Sequence, residues 1–195
     1  MSEIRKDNIA TLKGDWATPD KLYRHLDNEF HFDADAAANS QNTKHPVYFT
    51  KSMDSLSFSW RDMIDFKPTD QKPRPAFFLN PDYAKGIVDK FVAKARTETR
   101  EGGSVVVCLV PVVPDTNWFQ DSVLEYDGRV AVEIRFIKGR VGYVGYTKDG
   151  KIISQKPTFP SCIVIFSLSH PHYWNQDYDP VMPIVGKTIV MKDLK

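Results

Sequence analysis

The chain of 195 residues is 42% hydrophobic and 12% aromatic, the length of one globular domain with enough apolar material for a sizeable core and little room for two. Its 26 Lys and Arg stand against 25 Asp and Glu, a formal charge of +1, so no global field marks it as a polyanion-coating factor; a nucleic-acid partner is compatible with this balance but not argued by it. No run approaches about 18 consecutive apolar residues, the start MSEIRKDNIA lacks the core of a signal peptide, and Cys108 and Cys162 sit inside apolar runs as reduced thiols, which together point to a cytoplasmic protein without a membrane span.

Thr18-Pro19 reads as a helix start, with the threonine as N-cap and the proline at the first helical position, and Leu22, Leu26 and Phe30 then recur at helical spacing. The pattern predicts a helix over about 19–28. FHFDAD alternates Phe30, Phe32 and Ala34 with polar partners and predicts a short strand, running into a turn that carries Asp35 and the small residues Ala36, Ala37 and Ala38. Residues 46–50 read as a second short strand, and FKPTDQKPRP as a loop. AFFL is an apolar run directly before Asn80. Ile87, Phe91 and Ala95, with Val88 and Val92, mark a helix face that Gly102-Gly103 ends. SVVVCLVP is dense in β-branched residues and predicts a parallel strand covered on both faces. A short helix near 115–124, the alternating strand VAVEIRFI, a Gly- and Tyr-rich hairpin turning at Thr147 to Gly150, and the buried strand SCIVIFSL complete the core.

The expected fold is therefore α/β, a mostly parallel sheet with an antiparallel strand pair at its C-terminal end, in one domain over 1–195 with a core of about 15–168 and a tail of 169–195. The tail holds three prolines and a late VGKTIVM run to which the pattern assigns no element. In open α/β sheets ligands bind beyond the carboxyl ends of the strands, which singles out Asp35, Asn80 with Asp82, and Asp115. Gly-x-Gly-x-x-Gly and Walker loops are absent, against ordinary dinucleotide or nucleoside triphosphate sites, and no HxxxH or CxxC pair supports a metal.

Asn80-Pro81-Asp82-Tyr83 resembles the Asn/Asp-Pro-Pro-Tyr motif of methyltransferases acting on amino groups of adenine or cytosine in DNA. With WATP at 16–19, FDADAAA at 32–38, MDSL at 53–56, FIKGRVGY at 136–143 and CIVIF near the end, the ordered set resembles the small phage-type DNA N-6-adenine methyltransferases over about 15–168. The resemblance implies a class I methyltransferase with a Rossmann-like fold that uses S-adenosylmethionine to methylate the N6 amine of adenine in DNA. It assigns Trp16, Thr18 and Pro19 to the methionine end of the cofactor, Asp35 to its ammonium or ribose, Asp54 to its adenine amine, and Asn80 to both cofactor and base. Each also has a plain structural reading: Thr18 as helix cap, Asp35 as turn cap, Asp54 as a surface turn.

The tetrapeptide has a chemical rationale of its own. An exocyclic adenine amine delocalises its lone pair into the ring, so a site must accept both N–H hydrogens and steer the nitrogen toward tetrahedral geometry. The Asn80 side-chain oxygen and the Pro81 carbonyl are two such acceptors. Tyr83 is expected to stack on a base extruded from the duplex. Asp82 departs from the motif, where a second proline would hold Pro81 extended and aim its carbonyl. Cytosine N4 methylation would use the same tetrapeptide, and Asp82 also admits a module that binds DNA or cofactor without turnover. For DNA the expected surface is the late hairpin, where Lys138, Arg140, Lys148, Lys151 and Lys156 interleave with Tyr143 and Tyr146; a solvated hairpin face would have the same composition.

Overall fold

The computed structural model describes residues 16–125, 127–146 and 152–168 and the backbone of 184–189. Its strands are β1 (Ala34–Asp35), β2 (Ala76–Leu79), β3 (Val105–Pro111), β4 (Val130–Ile137), β5 (Tyr143–Tyr146), β6 (Ile152–Gln155), β7 (Ser161–Leu168) and β8 (Ile184–Ile189). The helices are α1 (Asp20–Phe30), α2 (Val88–Arg100) and a single turn, α3 (Asn117–Phe119), that runs into a π-helical turn at Gln120–Leu124. One mixed sheet has the order β1, β2, β3, β7, β4, β8, and β5 with β6 forms a separate hairpin.

Within the sheet, β1, β2 and β3 pair in parallel, β7 runs antiparallel to both β3 and β4, and β8 is parallel to β4. Five strands thus share one direction and β7 alone is reversed. The expected antiparallel element exists, but it lies inside the sheet between β3 and β4. Accordingly β3 is parallel to one neighbour only. The VGKTIVM run, left without an element from its pattern, supplies β8 beside β4. The hairpin tip expected at Thr147 to Gly150, including Lys148, and Lys151 beyond it lie outside the described residues.

Alternation along the strands divides the core between two faces. Phe77, Leu79, Val106, Cys108, Val164 and Phe166 face α2 through Val88, Val92 and Ala95, with Trp60 and Phe49 closing that side. Phe78, Val107, Leu109, Ile163 and Ile165 face α1 through Leu22, Tyr23 and Leu26, joined by Val141 and Tyr143. Both cysteines are buried and free. Desolvation pushes the Cys162 thiol up to about 12, which keeps it protonated and inert.

Three expectations near the N-terminus are corrected. The helix begins at Asp20, Pro19 precedes it with ψ 135°, and among the described residues no side chain caps it and the buried Thr18 Oγ1 has no partner. The predicted FHFDAD strand shrinks to Ala34–Asp35 because α1 continues through Phe30 and His31 turns the chain in the left-handed region at φ 50°. Residues 46–50 make no strand. They lie along β1 through one parallel bridge, Asp35 to Tyr48, with Asp35 N–H donating to the Val47 carbonyl (3.0 Å) and Phe49 N–H to the Asp35 carbonyl (2.9 Å).

Candidate active site

Asn80 follows β2 directly, at the carboxyl edge of the sheet, and 80–83 form a loop that turns through Gly86 (φ 81°) into α2. The tetrapeptide therefore precedes its helix rather than starting it. A cavity of about 600 Å³ opens here, lined by Asn80, Pro81, Asp82 and Tyr83, by Trp16 and Tyr143, and by 156–159 from the connection between β6 and β7.

The far walls are fixed by the hairpin. Ala17 and Val144 exchange two backbone hydrogen bonds (2.7 and 2.9 Å), which zips the WATP segment onto β5. Trp16 then lies against Gly145 so closely that a Cβ there would stand 2.7 Å from Trp16 Cζ3 and 2.9 Å from Cε3. Only glycine fits. Gly145→Ala is expected to displace the indole at a cost of about 1–3 kcal/mol in stability, with altered tryptophan emission and reduced turnover. A variant with unchanged emission, melting temperature and activity would show that the ring is not held by this contact.

Asn80 is gripped at both ends of its amide. Its Nδ2 donates to the Trp16 carbonyl at 3.3 Å, and its Oδ1 accepts from the Tyr83 hydroxyl at 2.8 Å. The same hydroxyl lies 2.9 Å from the Leu109 carbonyl and 2.8 Å from the Tyr143 hydroxyl, which is 3.1 Å from Ser161 Oγ. The Tyr83 ring meets Tyr143 and Phe159 edge to face, with centroids 6.0 and 5.7 Å away. The Pro81 carbonyl accepts no hydrogen bond among the described residues. Asp82 is exposed, and its Oδ1 accepts from the Ala84 N–H at 3.0 Å, a local turn bond.

The expected cofactor residues fall in two places. Trp16 lines the cavity with the tetrapeptide. Asp35 ends β1 in register with Phe78, two residues before Asn80, so both belong to the same edge of adjacent strands. Asp35 is 3% exposed, and among the described residues its carboxylate accepts two backbone bonds, from Ala37 (3.4 Å) and Lys44 (3.2 Å). Burial outweighs those bonds and the Lys44 charge and raises its pKa to about 7. Lys44 also binds Asp20 at the start of α1 through its ammonium at 2.6 Å, tying the Thr18-Pro19 approach to the end of β1. Asp54 is exposed in the left-handed region at φ 53°. The next residue, Ser55, holds it beside β1 by donating to the Ala36 carbonyl (3.0 Å), while the Ser55 carbonyl accepts from Trp60 Nε1 (2.7 Å).

Of the residues expected on the DNA surface, Lys138 and Arg140 are exposed on the turn after β4, and Lys156 is exposed at the cavity. Tyr143 is placed otherwise. Its side chain is 4% exposed and its hydroxyl points into the network around Tyr83, so it presents no face to a DNA backbone. Pattern reasoning also missed Ser161, Ser55 and Phe159. The available signal for Phe159 was a proline-flanked aromatic just before a buried strand; the two serines carried none.

An α/β protein with a mixed, mostly parallel sheet and an Asn-Pro-x-Tyr loop at a cavity on its carboxyl edge has an arrangement compatible with Rossmann-like methyltransferases. The chain belongs to the DNA N-6-adenine-methyltransferase (Dam) family, whose model matches residues 6–187. Membership implies a DNA methyltransferase. No curated protein matches the chain significantly. Among the described residues no cluster of metal-ligating side chains occurs, and no helix is long and apolar enough to cross a membrane.

Proposed function

We propose that this protein transfers a methyl group from S-adenosylmethionine to the N6 amine of adenine in DNA, on a class I methyltransferase fold. The observation that carries this reading is the acceptor pair at the cavity. The Trp16 carbonyl can only accept, so it fixes the Asn80 amide with Nδ2 toward itself and Oδ1 away. One lone pair of Oδ1 takes the Tyr83 proton and the other remains for an amine hydrogen, while the Pro81 carbonyl, which accepts no hydrogen bond among the described residues, serves the second. A base extruded from the duplex meets aromatic rings from Trp16, Tyr83 and Phe159 in the cavity. Lys138, Arg140 and Lys156 supply exposed cationic partners for phosphates, each worth a share of a salt-dependent affinity.

The chain's own residues fit the cofactor. Thr18 Oγ1 and the Tyr23 hydroxyl are buried without partners among the described residues, and the Tyr23 phenol is raised by burial and by the fields of Asp27 and Asp35. A buried hydroxyl without a partner is costly unless a ligand completes it. Asp35, buried with two long bonds, is suited to an ammonium or a ribose hydroxyl, and Asp54 is held at the neighbouring rim for a donor on an adenine ring. S-Adenosylmethionine, when bound, supplies the electrophilic methyl on its sulfonium. The protein's part is to hold the amine in line and keep both its hydrogens bonded.

Asp82 is read as tolerated. It is exposed, it satisfies the Ala84 N–H, and among the described residues its own N–H makes no hydrogen bond that a proline would break. Asp82→Pro is expected to keep the fold and raise turnover several-fold by restricting Pro81, with cofactor affinity unchanged. A fall in turnover or in affinity would mean that the carboxylate takes part. Transfer of labelled methyl groups from S-adenosylmethionine to unmethylated plasmid DNA, by wild type and by Asp82→Pro, tests the whole reading: the wild type is expected to label the DNA, and cofactor binding without labelling would instead describe a binding module.

A further inference from the structure

We propose that Tyr143 and Ser161, which lie outside the tetrapeptide, are positioning residues that lock the acceptor oxygen of Asn80 through a one-way chain of hydroxyl donors. The inference rests on the reading of Asn80 given above and extends it to residues from β5 and β7.

The direction of the chain follows from counting hydrogens. An amide presents nearly the same shape with its oxygen and nitrogen exchanged, so its partners decide its orientation. The Trp16 carbonyl, an acceptor only, requires Nδ2 at its end of Asn80. Oδ1 then faces the Tyr83 hydroxyl at 2.8 Å, and two oxygens at that separation need a proton between them. Tyr83 must supply it, since a carbonyl oxygen has none. Its single proton is committed to Oδ1 and the neighbouring Leu109 carbonyl, so toward Tyr143 it can only accept. Tyr143 therefore donates to Tyr83, and Ser161 donates to Tyr143. The Tyr143 and Ser161 hydroxyls each have one permitted direction, while the single Tyr83 proton is shared between two acceptors, Asn80 Oδ1 and the Leu109 carbonyl.

Four groups from separate parts of the chain thus join one network that reaches Asn80 Oδ1 through the Tyr83 hydroxyl and Nδ2 through the Trp16 carbonyl. β5 brings Tyr143, β7 brings Ser161, the segment ahead of α1 brings the Trp16 carbonyl, and β3 brings the Leu109 carbonyl. Tyr143 and Ser161 are both almost fully buried, so water does not compete for these bonds. Burial also pushes the Tyr143 phenol up to about 12 and raises Tyr83 well above the ordinary tyrosine value, which keeps both protons in place through the neutral range. Without the chain, Asn80 could rotate and offer its NH₂ to the base, where a donor would repel the amine hydrogens.

The closing experiment uses the full chain with S-adenosylmethionine and unmethylated DNA. Tyr143→Phe retains the ring and removes only the donor; it is expected to lower kcat about 10-fold with little change in KM for either substrate, and Ser161→Ala to lower it less. The double variant Tyr83→Phe/Tyr143→Phe is expected to be no slower than Tyr83→Phe alone, because both cut the same chain. A wild-type kcat in Tyr143→Phe, or fully additive losses, would overturn the proposal. A second readout is independent of turnover: the Asn80 side-chain amide resonances of ¹⁵N-labelled protein, assigned by their loss in Asn80→Ala, are expected to shift in Tyr143→Phe in the same sense as in Tyr83→Phe. If the wild type fails to methylate DNA, the functional reading fails while these resonances still decide the chain; if they stay fixed in Tyr143→Phe, the chain is wrong whatever the activity.

Discussion

Asn80→Ala is expected to reduce turnover by on the order of 100-fold or more while the affinity for S-adenosylmethionine changes little. The size follows from what the amide does at the reacting atom. As the amine nitrogen attacks, it gains positive charge and its hydrogens become stronger donors, so an oxygen fixed beforehand is worth more in the transition state than in the ground state. Alanine removes that oxygen and also takes the Asn80 amide away from the Trp16 carbonyl and from the Tyr83 hydroxyl, which keeps the Leu109 carbonyl and the Tyr143 hydroxyl. Some loss of stability is therefore expected with the loss of rate. Steady-state kinetics with calorimetry on the folded variant separates the two, and near-normal methylation would remove the tetrapeptide from the mechanism.

Asp35→Asn is expected to act in opposite directions on binding and on stability. Neutralising the carboxylate should weaken S-adenosylmethionine by about 1–3 kcal/mol, since a charge-assisted bond is replaced by a neutral one. In the free protein the same change should stabilise. The folded-state pKa is about 7 against an ordinary aspartate value of 3.8, so between those values the unfolded chain has lost its proton while the folded chain keeps it, and stability falls as pH rises. That penalty is absent below about pH 4 and complete above about pH 7, where its removal is worth on the order of 2–4 kcal/mol. Denaturation of the cofactor-free proteins at pH 4 and pH 8 should show little difference at the first and a more stable variant at the second. For the wild type, cofactor affinity should also decline as pH drops from 8 to 6, because a protonated Asp35 cannot pair with a cation. A carboxylate that merely caps its turn through Ala37 and Lys44 would leave cofactor affinity unaltered in the variant and across this range.

The tetrapeptide was legible because its signal is local: a short apolar run, AFFL, followed at once by polar groups and a proline. Helix α2 was equally plain from Val88, Val92 and Ala95 and from the glycines beyond it. The direction of β7 was not legible, since a continuous apolar run such as SCIVIFSL suits a strand buried on both faces whichever way it points. Thr18 misled for a related reason. A threonine before a proline suits a cap, but here proline sits one residue ahead of the helix and the hydroxyl turns inward. The cavity walls were the least accessible part. Tyr143 read as a hairpin aromatic among lysines, and only the zipper between Ala17 and Val144 and the contact of Trp16 with Gly145 bring that hairpin over Asn80. Such convergence of distant segments has no periodicity to betray it.

The central claim is most directly tested by the identity of the methylated nucleoside. Unmethylated DNA incubated with the protein and isotopically labelled S-adenosylmethionine, then digested and resolved by mass spectrometry, should carry the label in N6-methyladenine, and the label should fall by at least about 100-fold with Asn80→Ala. Label in N4-methylcytosine, or none in DNA while the cofactor binds, would contradict the account.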